Sequence, residues 1–189
     1  MIHTVKYKST KYYLLETFDG LLAFDVGWPD TFAEYRTAVK QAGLDFKMIK
    51  HFMVSHFHLD HAGLAGMLMK NGLSFYVFEN QVSQIAEMEE LIKKKYVNYC
   101  EIAKDKIKTL KLAESRNWLR SIGVEGEVVQ VFGHGNESVV LLLDSGEALI
   151  GDLPVFEDYD DLVKMDWLKL KSMKVRKIFP AHAAGFEVV

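Results

Sequence analysis

Short runs of alternating apolar and polar positions open the chain: Val5 to Tyr7, Tyr12 to Glu16 and Leu21 to Phe24, with Asp19-Gly20 as a turn signal between the last two. They predict a meander of strands. From Asp30 to Ala42 the apolar residues Phe32, Tyr35, Val39 and Ala42 take helical spacing, with Asp30 or Thr31 available as cap and Gly43 as stop. Ile49 to Val54 reads as a strand, Asp60 to Met69 as a helix ended by Asn71-Gly72, and Ser74 to Phe78 as a further strand. Gly63 and Gly66 leave that helix room for close backbone approach to the candidate site or to the sheet.

Gln81 to Arg120 is long, charged and helical in period, through Val82, Ile85, Met88, Ile92, Tyr96, Tyr99, Ala103, Ile107, Leu110 and Trp118. One helix of that length is unusual, so two or three are expected, broken near Lys104 to Lys108 or Lys111 to Ser115. A helix pair packed on the domain is the plain expectation. A lid, a pocket wall or a homodimer surface are the roles open to it. Lys93-Lys94-Lys95 reads as a solvated face and Cys100 as a helix-packing residue. Gly126 to Phe132, Ser138 to Asp144, Glu147 to Ile150 and Arg176 to Phe179 are the later strands, with Asp144-Ser145-Gly146 as a hairpin turn. Between the last two, Leu162, Met165, Leu168 and Leu170 predict an amphipathic helix. The acids before it, Glu157, Asp158, Asp160 and Asp161, suit its positive end better than they suit calcium.

Composition narrows the class. A chain of 189 residues with 49% apolar content is expected to be a single domain over residues 1–189. A net charge of -3 gives no basic footprint, so nucleic acid is not an expected partner. One cysteine excludes an internal disulfide and agrees with a reducing compartment. The opening MIHTVKYKST is too polar for a signal peptide, and Val139 to Leu143 is too short to span a bilayer. A cytoplasmic, soluble protein without a membrane partner is the expectation.

The candidate chemistry lies in His56-Phe57-His58-Leu59-Asp60-His61. On an extended segment positions i and i+2 share a face, so His56 and His58 can bind one cation, while Asp60 and His61, turning into a helix, point toward a neighbouring one. Further candidates each follow a strand-like run: Asp25, His134, Asp152 and His182. Loops at the carboxyl ends of strands are where layered α/β proteins gather ligands. His3 and His51 stand outside this pattern, and His51 reads as a strand-edge residue.

HFHLDH, the GHG around His134, Gly151-Asp152 and Pro180-Ala181-His182 together resemble the metallo-β-lactamase superfamily, over nearly the whole chain. The resemblance implies an α/β fold, a four-layer αββα sandwich of two mixed sheets, here with a helical insertion at about 80–120. It implies a site for two divalent metal ions, Zn²⁺ first, with iron or manganese as other occupants. His56, His58 and His134 would hold the first ion and Asp60, His61 and His182 the second, with Asp152 bridging. Asp25 would be an acid supporting an imidazole ligand.

Such a site implies a hydrolase in which a metal-bridging hydroxide attacks an ester, lactone, thioester or phosphoester of a small molecule, with Asp60 orienting the water and relaying a proton. With both ions and their carboxylates in place the pocket is net positive, which favours a carbonyl or anion. Asp152 at the bridging position and the absence of a secretion signal argue against lactam hydrolysis. Val155 replaces the tyrosine of acyl-homoserine lactonases, and the chain ends before the helical region of hydroxyacylglutathione hydrolases. Gly135-Asn136-Glu137-Ser138 departs from the usual Thr-Pro-Gly-Ser and brings a carboxylate close to the first metal, and Ala181 and Ala183 replace glycines. A non-haem iron redox enzyme of the same fold and a non-catalytic, metal-retaining binding protein are the alternatives.

Overall fold

The central strands carry apolar residues on both faces, so both faces of each sheet can be covered. In a computed structural model describing residues 1–155 and 160–188, they form two sheets packed face to face between helices. The first sheet runs β1 (Ile2–Tyr7), β2 (Thr10–Glu16), β3 (Leu21–Phe24), β4 (Ile49–Met53), β5 (Ser74–Phe78) and β6 (Lys108–Leu110) in that spatial order. β1 to β3 are antiparallel, and β3 to β6 are parallel. The second sheet has the order β11 (Phe186–Glu187), β10 (Lys177–Pro180), β9 (Glu147–Gly151), β8 (Val139–Leu143), β7 (Gly126–Gln130), with β9 and β10 parallel and its other pairs antiparallel.

The period-2 rule sorts the core into three layers. Tyr12, Leu14, Phe52, Phe75 and Val77 face α1 (Phe32–Gln41), α2 (Leu59–Ala62), α3 (Ala65–Lys70) and α4 (Gln84–Lys93). Their alternates Tyr13, Leu15, Phe24, Met53 and Phe78 meet Val128, Val139, Leu141 and Leu149 of the second sheet, closed at one side by Trp118 of α5 (Ser115–Ser121). Val140, Leu142, Ala148, Ile150 and Ile178 face Val163, Trp167 and Leu170 of α6 (Asp161–Ser172). This is the four-layer sandwich of two mixed sheets expected from the sequence. No helix among the described residues is long and apolar enough to cross a membrane.

Several local expectations are corrected. Residues 81–120 hold the expected pair of helices, α4 and α5, with the break covering both expected places, but between them the chain makes 3₁₀ turns at Lys104–Lys106 and Leu112–Glu114 and adds an unexpected strand, β6, beside β5. The helical period continued past Lys93 because Tyr96, Tyr99 and Ile107 pack against the same apolar layer from irregular backbone. Cys100 is therefore not on a helix. The predicted helix Asp60 to Met69 is two helices, α2 and α3, parted at Gly63 and Leu64. A Cβ at Gly63 would lie 2.4 Å from Pro29, and one at Gly66 would lie 2.1 Å from the carbonyl oxygen of Cys100, so these glycines admit neighbouring loops rather than the sheet or the donor side chains.

His51 lies in β4, flanked on both sides by strands, and its Nε2 meets Asp19 at 3.1 Å. α6 turns Val163, Asp166, Trp167 and Leu170 inward and leaves Leu162, Met165 and Leu168 more than half exposed, so the expected apolar face is wrong apart from Leu170. Asp166, a buried acid, disguised the true face. Asp160 caps α6 by accepting from the Val163 amide at 2.8 Å, and Asp161 lies in its first turn, as dipole complementarity predicts. Glu157 and Asp158 lie outside the described residues.

Strand direction places the functional loops. β1, β3 and β4 run the same way in the first sheet, and β7, β9 and β10 run together in the second. Their carboxyl ends meet at one rim, held together by the Val139 amide on the Ser55 carbonyl (2.8 Å) and the Lys11 amide on the Ala181 carbonyl (2.9 Å).

Candidate metal centre

At that rim β4 delivers His56 and His58, α2 delivers Asp60 and His61, the loop after β7 delivers His134, β9 ends before Asp152, and β10 ends before His182. All seven expected residues come together in two groups. One donor atom from each of His56, His58, His134 and Asp152 lies within 4.8 Å of the others, and the same holds for Asp60, His61 and His182. Asp152 faces both groups. Its Oδ2 lies 3.8 Å from His56 Nε2 and 3.9 Å from His134 Nε2, while its Oδ1 lies 3.2 Å from both His61 Nε2 and His182 Nε2. Asp60 Oδ2 completes the second group, 3.4 Å from His61 Nε2 and 3.1 Å from His182 Nε2.

The outer hydrogen bonds fix which ring nitrogens face inward. Asp25, 1% exposed, accepts from the Ser55 amide at 2.7 Å and from the Ser55 hydroxyl at 3.0 Å. Having donated its one proton there, Ser55 Oγ accepts from His56 Nδ1 at 2.9 Å, which leaves the His56 Nε2 lone pair turned inward. His61 Nδ1 donates to Asp25 Oδ2 at 2.9 Å, and His182 Nδ1 donates to the Ser9 carbonyl at 3.1 Å. Each second nitrogen faces the cluster. This is the carboxylate- or carbonyl-backed arrangement that orients imidazole ligands.

The inward atoms fit cations better than they fit one another. His134 Nε2 lies 3.1 Å from His56 Nε2 and 3.2 Å from His58 Nδ1, and a single proton on it could satisfy only one of the two. A cation satisfies all three. His61 Nε2 and Asp152 Oδ1 are buried and complete no hydrogen bond, an arrangement that costs free energy unless something else binds them.

The electrostatics agree. Burial, and then the other imidazoles, hold the His56 pKa well below its usual value, as a neutral ligand requires. His134 is lowered by burial despite the pull of Asp152. Burial would raise Asp60 and Asp152, yet each is held below the carboxylate range, chiefly by His61 beside it. For His61, burial is outweighed by Asp25, Asp152 and Asp60, which raise its pKa.

Sequence reasoning missed the residues that aim these donors. Thr10 is fully buried and its hydroxyl donates to Asp60 Oδ2 at 2.8 Å, while its neighbour Ser9 supports His182. Both sit at the β1–β2 turn, which strand direction carries to the rim. Gln81, also fully buried, donates to the carbonyls of Val54 (3.0 Å) and Ser55 (3.3 Å) and so pins the segment entering the hexapeptide. No local motif marks any of them. Gly151, with φ of 55°, could have been suspected: a Cβ there would lie 2.4 Å from Ser55 Oγ, so only glycine lets β9 approach the hexapeptide strand.

Asp166 acts on the other flank. Its Oδ2 accepts from the backbone amides of Phe132 and Gly133, both at 2.7 Å, and thereby anchors the loop that carries His134. Asp166→Ala strips two part-buried amides of their acceptor. It is expected to cost about 2–3 kcal/mol in urea unfolding and to weaken metal binding about tenfold, whereas Asp166→Asn, which keeps an oxygen there, should recover most of both.

Two clefts adjoin the donors. One, of about 340 Å³, is lined mainly by apolar residues, including Leu153, Pro154, Val155 and Pro180, beside His134 and His182. The other, of about 250 Å³, brings Met88 and Leu91 of α4 against Phe57, His58, Leu59 and Asp60. Of the roles open to the 81–120 segment, α4 fills that of a pocket wall.

Residues 8–72, which include four of the seven donors, match the family described as the metallo-beta-lactamase superfamily. Among solved structures, a metallo-beta-lactamase family protein from Thermus thermophilus is similar at 17% identity and a TM-score of 0.68, over 99% of this chain and 74% of that one. A beta-lactamase from Chitinophaga pinensis is similar at 18% identity and a TM-score of 0.67, over 96% of this chain and 75% of its own. TTHA1623, solved in a di-iron-bound form, is similar at 18% identity and a TM-score of 0.68, over 99% of this chain and 94% of that one. At these identities the likeness is one of fold.

Proposed function

We propose that this chain is a member of the metallo-β-lactamase superfamily and a hydrolase dependent on two divalent metal ions, Zn²⁺ first, acting on an ester, lactone, thioester or phosphoester of a small molecule. The observation that carries the reading is Asp152, whose two carboxylate oxygens face two separate groups of imidazoles. Five imidazoles and two carboxylates suit zinc or iron. Ions held by these donors would lower the pKa of a water toward neutrality and polarise the bond to be cleaved.

The chain's own part is geometry and proton handling. His56, His58 and His134 would hold one ion, Asp60, His61 and His182 the other, with Asp152 shared between them. Asp60 is the residue proposed to orient the attacking water, take its proton and hand it to the departing alcohol or thiol. Thr10 holds the Asp60 carboxylate in place for that exchange, and Asp25 keeps His56 and His61 in the tautomers that leave Nε2 available. A cytoplasmic site of action accords with the single cysteine.

Metal analysis of protein purified without added metal, followed by assay of the zinc-loaded protein on lactones, aryl esters, thioesters and phosphodiesters, tests this reading. Close to two ions per chain and turnover of at least one class are expected. Zinc-loaded protein inert on the whole panel would leave the metal-retaining binding protein as the better account. A non-haem iron redox enzyme of the same fold is the second reading, and TTHA1623, solved in a di-iron-bound form, is a protein of similar fold that holds iron. Iron as isolated, with a visible absorption band that changes on reduction, would select it over the zinc hydrolase.

A further inference from the structure

α4 buries Ile85, Met88 and Ile92 against the first sheet, yet Leu91 on the same helix is 52% exposed. A single exposed leucine needs no explanation. This one stands over the cleft whose other sides are Phe57, Leu59 and Met88, and whose remaining lining residues are His58 and Asp60, one donor from each candidate metal group. The apolar side chains of this cleft therefore share it with a donor from each candidate group. None of the described residues lining this cleft or its neighbour is a lysine or arginine, so a phosphate group would meet no cationic side chain there.

The geometry points to a subsite for an uncharged alkyl or aryl group, with Leu91 and Met88 as specificity-determining residues. The substrate class is thereby narrowed to carboxylic esters, lactones or thioesters carrying such a group, ahead of phosphoesters, whose charge would be met by the bound ions alone. This rests on the di-metal hydrolase reading and deepens it. The reactive carbonyl sits at the metal donors, and the apolar substituent lies between Phe57 and Leu59 on one side and α4 on the other. A cleft of about 250 Å³ that is open to solvent buries only part of each methylene. A fully buried methylene strengthens binding about fourfold, so about twofold per methylene is expected here.

The test uses zinc-loaded, full-length protein and straight-chain hydroxamic acids from acetohydroxamic to octanohydroxamic acid. Their head group chelates metal, and isothermal titration calorimetry reads the affinity without turnover. The wild type should gain about twofold per added methylene up to the hexanoyl length. Leu91→Gln, a substitution at a half-exposed helical position, should reduce the whole gain to under about threefold, with zinc content and melting temperature checked as fold controls. A chain-length gain that is absent in the wild type, or unchanged in Leu91→Gln, overturns the subsite and leaves the hydrolase reading standing. Failure to take up zinc, or to bind any hydroxamate when zinc is present, overturns both. In a paired assay, hexanoyl esters should be cleaved faster than acetyl esters and faster than bis-aryl phosphodiesters. The reverse order also removes the proposal.

Discussion

Asp152→Ala is expected to be a folded protein that keeps at most one zinc ion per chain after gel filtration and loses hydrolysis by on the order of 10³. The argument is geometric. One oxygen of Asp152 faces His56 and His134, the other faces His61 and His182 at 3.2 Å each, and among the described residues no other acid stands between the two groups of donors. Removing it deletes a donor from both groups at once and takes away the negative charge that allows two dications to sit side by side. Asp152 is partly exposed, 17% at the side chain, so the fold should survive the change. Elemental analysis and turnover should therefore fall together. A variant that retained two zinc ions and full rate would refute the shared-carboxylate reading.

Asp25→Asn should have the next largest effect, although Asp25 belongs to neither donor group. Its carboxylate accepts from the Ser55 amide, the Ser55 hydroxyl and His61 Nδ1, all buried, and through Ser55 it also sets the tautomer of His56. Asparagine tolerates the left-handed backbone at this position, where φ is 65°, so strain is not added. An amide, however, presents one acceptor where two oxygens serve now. One or more of these buried donors then loses its partner, at a cost of about 2–3 kcal/mol in chemical denaturation. With two imidazoles freed to rotate or change tautomer, zinc affinity should fall by about 10- to 100-fold in a competition titration with a chromogenic chelator. Unchanged affinity would mean that the imidazoles are oriented by packing alone.

The donor residues were legible because the chemistry is local or repetitive. Four of them fall within six residues, and His134, Asp152 and His182 each follow an apolar run, so a rule about strand ends locates them without coordinates. Strand assignment was legible for the same reason, since alternation such as Tyr12 to Leu15 dictates which neighbours share a face. The supports were not. Thr10, Ser9, Gln81 and Asp166 act across the fold on residues far along the chain, and a threonine at a hairpin turn or an aspartate in a helix carries no sign of its partner. Asp166 was hidden twice, because an acid in an amphipathic pattern is assigned to solvent, which also moved the apolar face of α6 to Leu162, Met165 and Leu168. β6 was missed because Tyr96, Tyr99 and Ile107 keep a helical beat while packing from irregular backbone. Periodicity reports which side chains are buried, and in such segments it does not report the path between them.

The β1–β2 turn touches a segment far along the polypeptide: Ser9 accepts from His182, and the Lys11 amide donates to Ala181. The β1–β2 hairpin thus waits for β10, synthesised much later, before its half of the rim is closed. His56, His58, Asp60 and His61 leave the ribosome long before His134, Asp152 and His182, and loop-closure entropy delays contacts so distant in sequence. During biosynthesis the nascent hexapeptide offers only an incomplete set of donors, so stable loading of a pair of ions would be coupled to docking of β10 and would come late in folding.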